Sequence, residues 1–130
     1  MATTSQGKVS VLLVDDHAVV REGYRRLLEK RGDITVVGEA QSAAEAHEQF
    51  CKLSPQVVVM DIALPGVSGI EAMRRMLARE PDTRVLVFSM YEDVIYADRA
   101  LNAGAYGYVT KASAPNVLVE AVHAVARGKK

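Results

Sequence analysis

Four short apolar runs in this 130-residue chain each stop on a polar residue that strand packing does not call for. Val9-Ser10-Val11-Leu12-Leu13-Val14 leads into Asp15 and Asp16, and Val57-Val58-Val59-Met60 into Asp61. Val85-Leu86-Val87-Phe88 leads into Ser89, and Tyr106-Gly107-Tyr108-Val109-Thr110 into Lys111. Runs this short and this rich in valine and leucine read as strands buried on both faces of a parallel sheet. Parallel strands end along one edge, and ligands of open α/β folds bind outside that edge. Where such strands are neighbours, three carboxylates, a hydroxyl and an ammonium meet in one cleft.

Carboxylates gathered this closely repel one another unless one is protonated or a cation bridges them. The economical bridge is a hard divalent ion such as Mg²⁺, which takes oxygen ligands. The lysine and the hydroxyl are then left to hold an anion such as a phosphoryl group. His17 lies beside the acidic pair, but a zinc site wants four ligands of mainly nitrogen or sulfur type, and one histidine is near. His17 therefore reads as a first-turn helix residue at the rim of the cleft.

Bulk properties narrow the class. Sixteen basic residues balance sixteen acidic ones, so the chain lacks the basic excess on which nucleic-acid binding rests. A single cysteine, Cys51, allows no internal disulfide and implies no oxidising compartment. No run approaches the roughly 18 apolar residues of a membrane span. Residues 1–7 have no apolar stretch of the secretory type, so a cytoplasmic protein without membrane contact is expected.

The elements alternate strictly. Residues 1–8 read as a disordered tail, 9–127 as one domain, and 128–130 as a tail or the start of a linker. The first helix is expected over about 17–30, with Val20, Tyr24, Leu27 and Leu28 on its buried face and Gly32 at its stop. Residues 34–38 form a mixed edge strand. Ser42 with Glu45 makes a capping box for a second helix burying Ala46, Phe50 and Leu53. Ser68 with Glu71 repeats the pattern before a third helix with Ile70, Met73 and Leu77 inward. A fourth helix spans about 93–102 with Gly104 at its C-terminal stop. Ser113 caps a last helix with Pro115 in its first turn and Leu118, Ala121, Val122 and Val125 inward. His47 and His123 fall on solvated helix faces, and Cys51 beside Phe50 reads as structural. Five strands alternating with five helices through right-handed crossovers give a flavodoxin-like, doubly wound parallel sheet of order 2-1-3-4-5.

These residues resemble the receiver domain of two-component response regulators over nearly the whole chain, from about residue 9 to 126. The likeness rests on Asp15-Asp16, Asp61, Ser89 and Lys111, each at the end of its strand. The Leu64-Pro65-Gly66-Val67-Ser68-Gly69-Ile70-Glu71 turn and the segment 100–111 share it. Val14-Asp15-Asp16-His17 and the Gly-Ala-Tyr-Gly-Tyr stretch are most similar to the NarL/FixJ-type subfamily, which normally joins the receiver to a helix-turn-helix DNA-binding domain. DNA would be reached only through such an output domain, absent from this chain.

The resemblance implies that Asp61 accepts a phosphoryl group from a phosphohistidine on a sensor histidine kinase, with no stand-alone turnover. It implies Mg²⁺ bound directly by Asp16, Asp61 and the backbone carbonyl of Ala63, with Asp15 acting mostly through metal-bound water. Lys111 and Ser89 would contact the phosphoryl group, and Ser89 and Tyr108 would form the switch. It also implies a homodimer through the first and last helices, and the surplus Val117 and Val119 on the last helix agree with this. Plainer roles stand beside these: helix capping for Asp15, Asp16, Asp61 and Ser89, a solvated loop position for Lys111, and a half-buried core position for Tyr108.

Three rival classes share parts of the pattern. A haloacid-dehalogenase-like phosphatase needs a second aspartate two residues after the nucleophile, and that position is Ala63. A flavodoxin-type carrier needs a phosphate-cradling loop after the first strand, where Asp15-Asp16 would repel a flavin phosphate. A phosphorylation-independent interaction module keeps the fold but would not need the full set of strand-end residues. Without proline after Lys111, the Lys111–Ala112 bond is expected to be trans, since a cis bond there costs about 2.5–4 kcal/mol.

Overall fold

The computed structural model of the chain describes residues 8–61, 69–90, 94–111 and 115–128. Strand β1 (Val9–Val14) leads to helix α1 (Ala18–Glu29), then β2 (Ile34–Ala40), α2 (Ala43–Leu53) and β3 (Val57–Met60). The chain continues through α3 (Gly69–Arg79), β4 (Arg84–Ser89), α4 (Val94–Asn102), β5 (Gly107–Thr110) and α5 (Pro115–Ala126). The strands form one parallel sheet in the order β2-β1-β3-β4-β5, as the alternation predicts.

Successive side chains of a strand point to opposite faces, and this divides the core in two. Leu12, Val14, Val58, Met60, Val85 and Val87 face α2, α3 and α4, where Phe50, Met73, Met76 and Ala100 meet them. Val11, Leu13, Val57, Val59, Leu86 and Phe88 face α1 and α5, meeting Leu28, Leu118, Val122 and Val125. Full burial of one such side chain contributes about 1.5–3 kcal/mol, so both layers hold the sheet. Tyr24 sets its ring edge-on to Phe88 at 4.7 Å, docking α1 over β4.

The sheet departs from its sequence reading at both edges. β5 is half-buried along its whole length rather than covered on both faces, because it is the edge strand beside β4. β2 runs on to Ala40, beyond the expected end at Gly38. A register shift at Val11/Leu12 lets Glu39 and Ala40 continue the pairing opposite Leu13 and Val14.

Helix ends follow local chemistry. The Ser42 hydroxyl accepts from the Glu45 amide at 3.2 Å. The Glu45 carboxylate reaches back to the Gln41 amide at 2.7 Å, one residue earlier than a capping box predicts. Gly104 takes φ +114°, a conformation that L side chains rarely adopt, and its amide closes on the Leu101 carbonyl at 3.1 Å. Arg84, at the start of β4, donates to the carbonyls of Val125 and Ala126 at the end of α5 and stacks over Tyr106. A cation at a helix C-terminus satisfies orphan carbonyls and complements the dipole.

Several expected burials need correction. Val20 is 37% exposed. It lies in the first turn of α1, where His17, Ala18 and Val19 are exposed as well. Val119 is 4% exposed and belongs to the core between α1 and α5, whereas Val117 is 38% exposed and faces outward. His123 is not solvated: its half-buried ring places Nε2 3.3 Å from Asp33 Oδ2. His47 is exposed as expected, with Nε2 3.6 Å from Cys51 Sγ, and Cys51 packs against the core. The proposed Ser68 and Ser113 caps, the Leu64–Gly69 turn chemistry and the Lys111–Ala112 bond fall wholly or partly outside the described residues.

Candidate functional site

Three backbone hydrogen bonds bring the strand ends into line. The Asp15 amide donates to the Ala40 carbonyl at 3.0 Å, and the Asp61 amide to the Val14 carbonyl at 3.1 Å. The Lys111 amide donates to the Ser89 carbonyl at 2.8 Å. The sheet ladder thus continues one residue past β1, β3 and β5, and it fixes where each polar side chain starts. Asp15, Asp61 and Ser89 are buried polar residues, exposed by 2%, 5% and 0%. Burial of charged groups is costly unless they are paired.

The pairing comes from Lys111. Its Nζ lies 2.5 Å from Asp15 Oδ2 and 2.8 Å from Asp61 Oδ2, bridging the ends of β1 and β3 from the end of β5. Burial alone would raise the Asp15 pKa, but the Lys111 ammonium and the His17 amide outweigh it and hold the carboxyl below its ordinary range. Burial likewise works against the Lys111 charge, and the two carboxylates overcome it, so the ammonium is held more firmly than in water.

Asp15 and Asp16 divide the local work. Asp15 Oδ1 accepts from the His17 amide at 2.9 Å, a short-range turn that starts α1. Asp16 makes no such bond. Its Oδ1 is buried and has no hydrogen-bond partner among the described residues, lying 3.1 Å from His17 Nδ1 without the alignment of a hydrogen bond. Asp15, Asp16 and His17 each offer a ligand atom within 4.8 Å of the others. An orphaned, buried carboxylate oxygen beside further oxygen donors fits a hard cation.

The remaining site residues stand where their strands end. Asp61 is not the N-cap of α3, which begins at Gly69, and Ser89 is not that of α4, which begins at Val94. Tyr108 pairs with Val87 across β4–β5 and is half-buried against the layer of Phe50 and Met73. Ala63 lies outside the described residues.

Arg21 and Glu39 were not singled out by sequence reasoning. Arg21 Nη1 donates to the Asp15 backbone carbonyl at 2.6 Å, and its Nε to Glu39 Oε1 at 2.8 Å. The available signal was weak: a glutamate in an otherwise apolar strand and arginines one helical turn apart.

Comparison with known proteins identifies the family and the fold. Residues 11–123 match the family model of the response regulator receiver domain. The transcriptional regulatory protein DegU of Brevibacillus brevis is 38% identical over 124 residues, covering 95% of this chain and 52% of DegU. This chain thus spans about half the length of that relative. A LuxR-family two-component response regulator from Aurantimonas sp. superposes with a TM-score of 0.92 at 46% identity, over 95% of this chain and 88% of that one. The receiver domain of a NarL-type regulator from Mycobacterium tuberculosis does so at 0.89 and 36% identity, over 94% and 98%. With its strand order, its strand-end carboxylates and its bridging lysine, the chain belongs to the receiver domain family of two-component response regulators, among the LuxR/NarL-type members.

Proposed function

We propose that this receiver accepts a phosphoryl group on Asp61 from a phosphohistidine of a sensor histidine kinase. The observation that carries the reading is Lys111 Nζ bridging Asp15 and Asp61. It places an ammonium against the carboxylate that would attack. A carboxylate oxygen of Asp61 forms a bond to phosphorus as the phosphorus–nitrogen bond breaks and its electron pair returns to the imidazole. The product is an acyl phosphate on Asp61. Lys111 turns from the Asp61 oxygen to a phosphoryl oxygen, and the Ser89 hydroxyl donates to another. Tyr108 follows Ser89, coupling the site to the α4–β5 face.

Asp16, Asp61 and the Ala63 carbonyl would hold Mg²⁺, with Asp15 acting through its water shell, and the orphaned Asp16 oxygen supports this assignment. Bound there, the ion would supply charge neutralisation for the transferring oxygens. The domain spans residues 9–127 in this reading, in a cytoplasmic protein, flanked by a tail over 1–8 and by 128–130 as the start of a linker or a C-terminal tail. Its output is transcription through a helix-turn-helix domain beyond this chain, in keeping with relatives named as transcriptional regulators. A weak homodimer through α1 and α5 accompanies the active form.

Mass spectrometry after exposure to acetyl phosphate with and without Mg²⁺ tests the reading. It predicts one Mg²⁺-dependent, acid-labile phosphoryl adduct. An unmodified chain under both conditions would leave the phosphorylation-independent interaction module as the better description.

A further inference from the structure

The acidic turn after β1 is anchored from outside the cleft. Asp15 donates its amide to Ala40 and accepts at its carbonyl from Arg21 Nη1, at 3.0 and 2.6 Å, so its backbone is gripped from both sides. The next residue is Asp16, whose buried Oδ1 lacks a hydrogen-bond partner among the described residues. The Arg21 guanidinium is itself fixed. Its Nε donates to Glu39 Oε1 at 2.8 Å, while Arg25 Nη1 takes the other oxygen, Oε2, at 2.7 Å. The Arg21 side chain is 15% exposed and that of Glu39 is 23% exposed. Burial acts to raise the Glu39 pKa, and the two guanidiniums outweigh it and hold the carboxyl below its usual range. The register shift at Val11/Leu12 sets Glu39 opposite Leu13, which faces α1 and α5, rather than opposite Val14, which faces α2, and so places Glu39 on the side of Arg21 and Arg25.

We infer that Arg21, held by Glu39, is a positioning residue that sets the Asp15–Asp16 backbone so that the Asp16 carboxylate is preorganised for a divalent cation. This rests on the metal reading of the acidic cleft. Arg21 touches neither the cation nor the phosphoryl group. It acts through one carbonyl, and the planar fork of a guanidinium is what lets one side chain serve Asp15 and Glu39 together. A lysine offers a point charge on a flexible stem and would serve both less well. The cost of ordering the turn is met in the fold rather than at binding.

The test uses four chains, wild type, Arg21→Met, Arg21→Lys and Glu39→Gln, followed by amide NMR and Mg²⁺ titration well below their unfolding midpoints. Without the ion, Arg21→Met should shift the amides of Asp15, Asp16 and His17 while leaving those of β3 and β4 in place. It should weaken Mg²⁺ binding about 3- to 10-fold, with Arg21→Lys and Glu39→Gln between it and wild type. Folded Arg21→Met with unchanged amides at 15–17 and wild-type affinity overturns the inference. Should Arg21→Met not fold, Glu39→Gln decides on the same two readouts. Should wild type fail to bind Mg²⁺, the metal reading fails and preorganisation for a cation fails with it. The amide shifts at 15–17 would then still separate a turn that Arg21 orders from one that it does not.

Discussion

Lys111 Nζ sits 2.5 Å from Asp15 Oδ2, so the exit of the last strand is tied to the exit of the first through one buried ion pair. The pair spans 96 residues of sequence and crosses the sheet over β3 and β4.

The pH dependence follows from both partners. The folded pKa of Asp15 is depressed, so its stabilisation is present above the unfolded carboxylate value of about 3.9 and is lost as pH falls through the folded value. The folded pKa of Lys111 is raised, so its stabilisation is present below about 10.4 and is lost as pH rises through the folded value. Lys111→Met should cost about 1–3 kcal/mol at pH 7 by leaving buried carboxylates without their donor. The deficit should shrink below pH 4. Urea unfolding at both pH values checks this, and equal stability of the two proteins at pH 7 would contradict it.

Asp16→Asn should leave the apo domain folded and weaken Mg²⁺ binding by at least the roughly tenfold that even outer-shell partners cost. Calorimetric titration reads the affinity, and thermal melting reads the fold. Wild-type affinity in the variant would remove Asp16 from the metal site.

Much of this site was legible from strand ends alone. Asp15, Asp61, Ser89 and Lys111 each close an apolar run, and in a parallel sheet of this order such positions share one edge. Helix starts were readable where a side chain caps locally, as at Ser42. What escaped depends on tertiary placement. Val119 looked like a surplus surface valine, but from α5 it packs into the core layer shared with α1. Arg21 and Glu39 looked like ordinary surface charges, because nothing local reveals that a register shift sets Glu39 opposite Leu13, on the face of the sheet that α1 covers.

The burial of Val119 changes how dimerisation should be probed. Val119→Glu would bury a charge and unfold the domain, so it does not report on an interface. Val117→Glu alters an exposed position and should change stability by less than about 0.5 kcal/mol. Sedimentation of phosphorylated protein should show a weak dimer that Val117→Glu disrupts. A dimer untouched by Val117→Glu would shift the interface to the α4 face with Tyr96.

Phosphorylation of Asp61 replaces a carboxylate of charge −1 with a phosphoryl group carrying about −1.5 to −2 and three further acceptor oxygens. A ligand shifts an equilibrium only by binding two states differently, and Ser89 and Lys111 are the contacts that would differ. Amide shifts on adding a phosphoryl mimic with Mg²⁺ should therefore extend from Ser89 through α4 to Tyr108 and Lys111. Shifts confined to the acidic turns would contradict the coupling through Tyr108.

The central claim is that Asp61 is the phosphoacceptor, and hydride trapping measures it most directly. Treatment of the acetyl-phosphate-labelled protein with borohydride converts an aspartyl phosphate to homoserine, and peptide mapping then locates the change. The account predicts homoserine at position 61 in a Mg²⁺-dependent fraction of the chain, and none at any position in Asp61→Asn. Homoserine at Asp15 or Asp16 instead, or wild-type levels of acid-labile phosphate on Asp61→Asn, would contradict it.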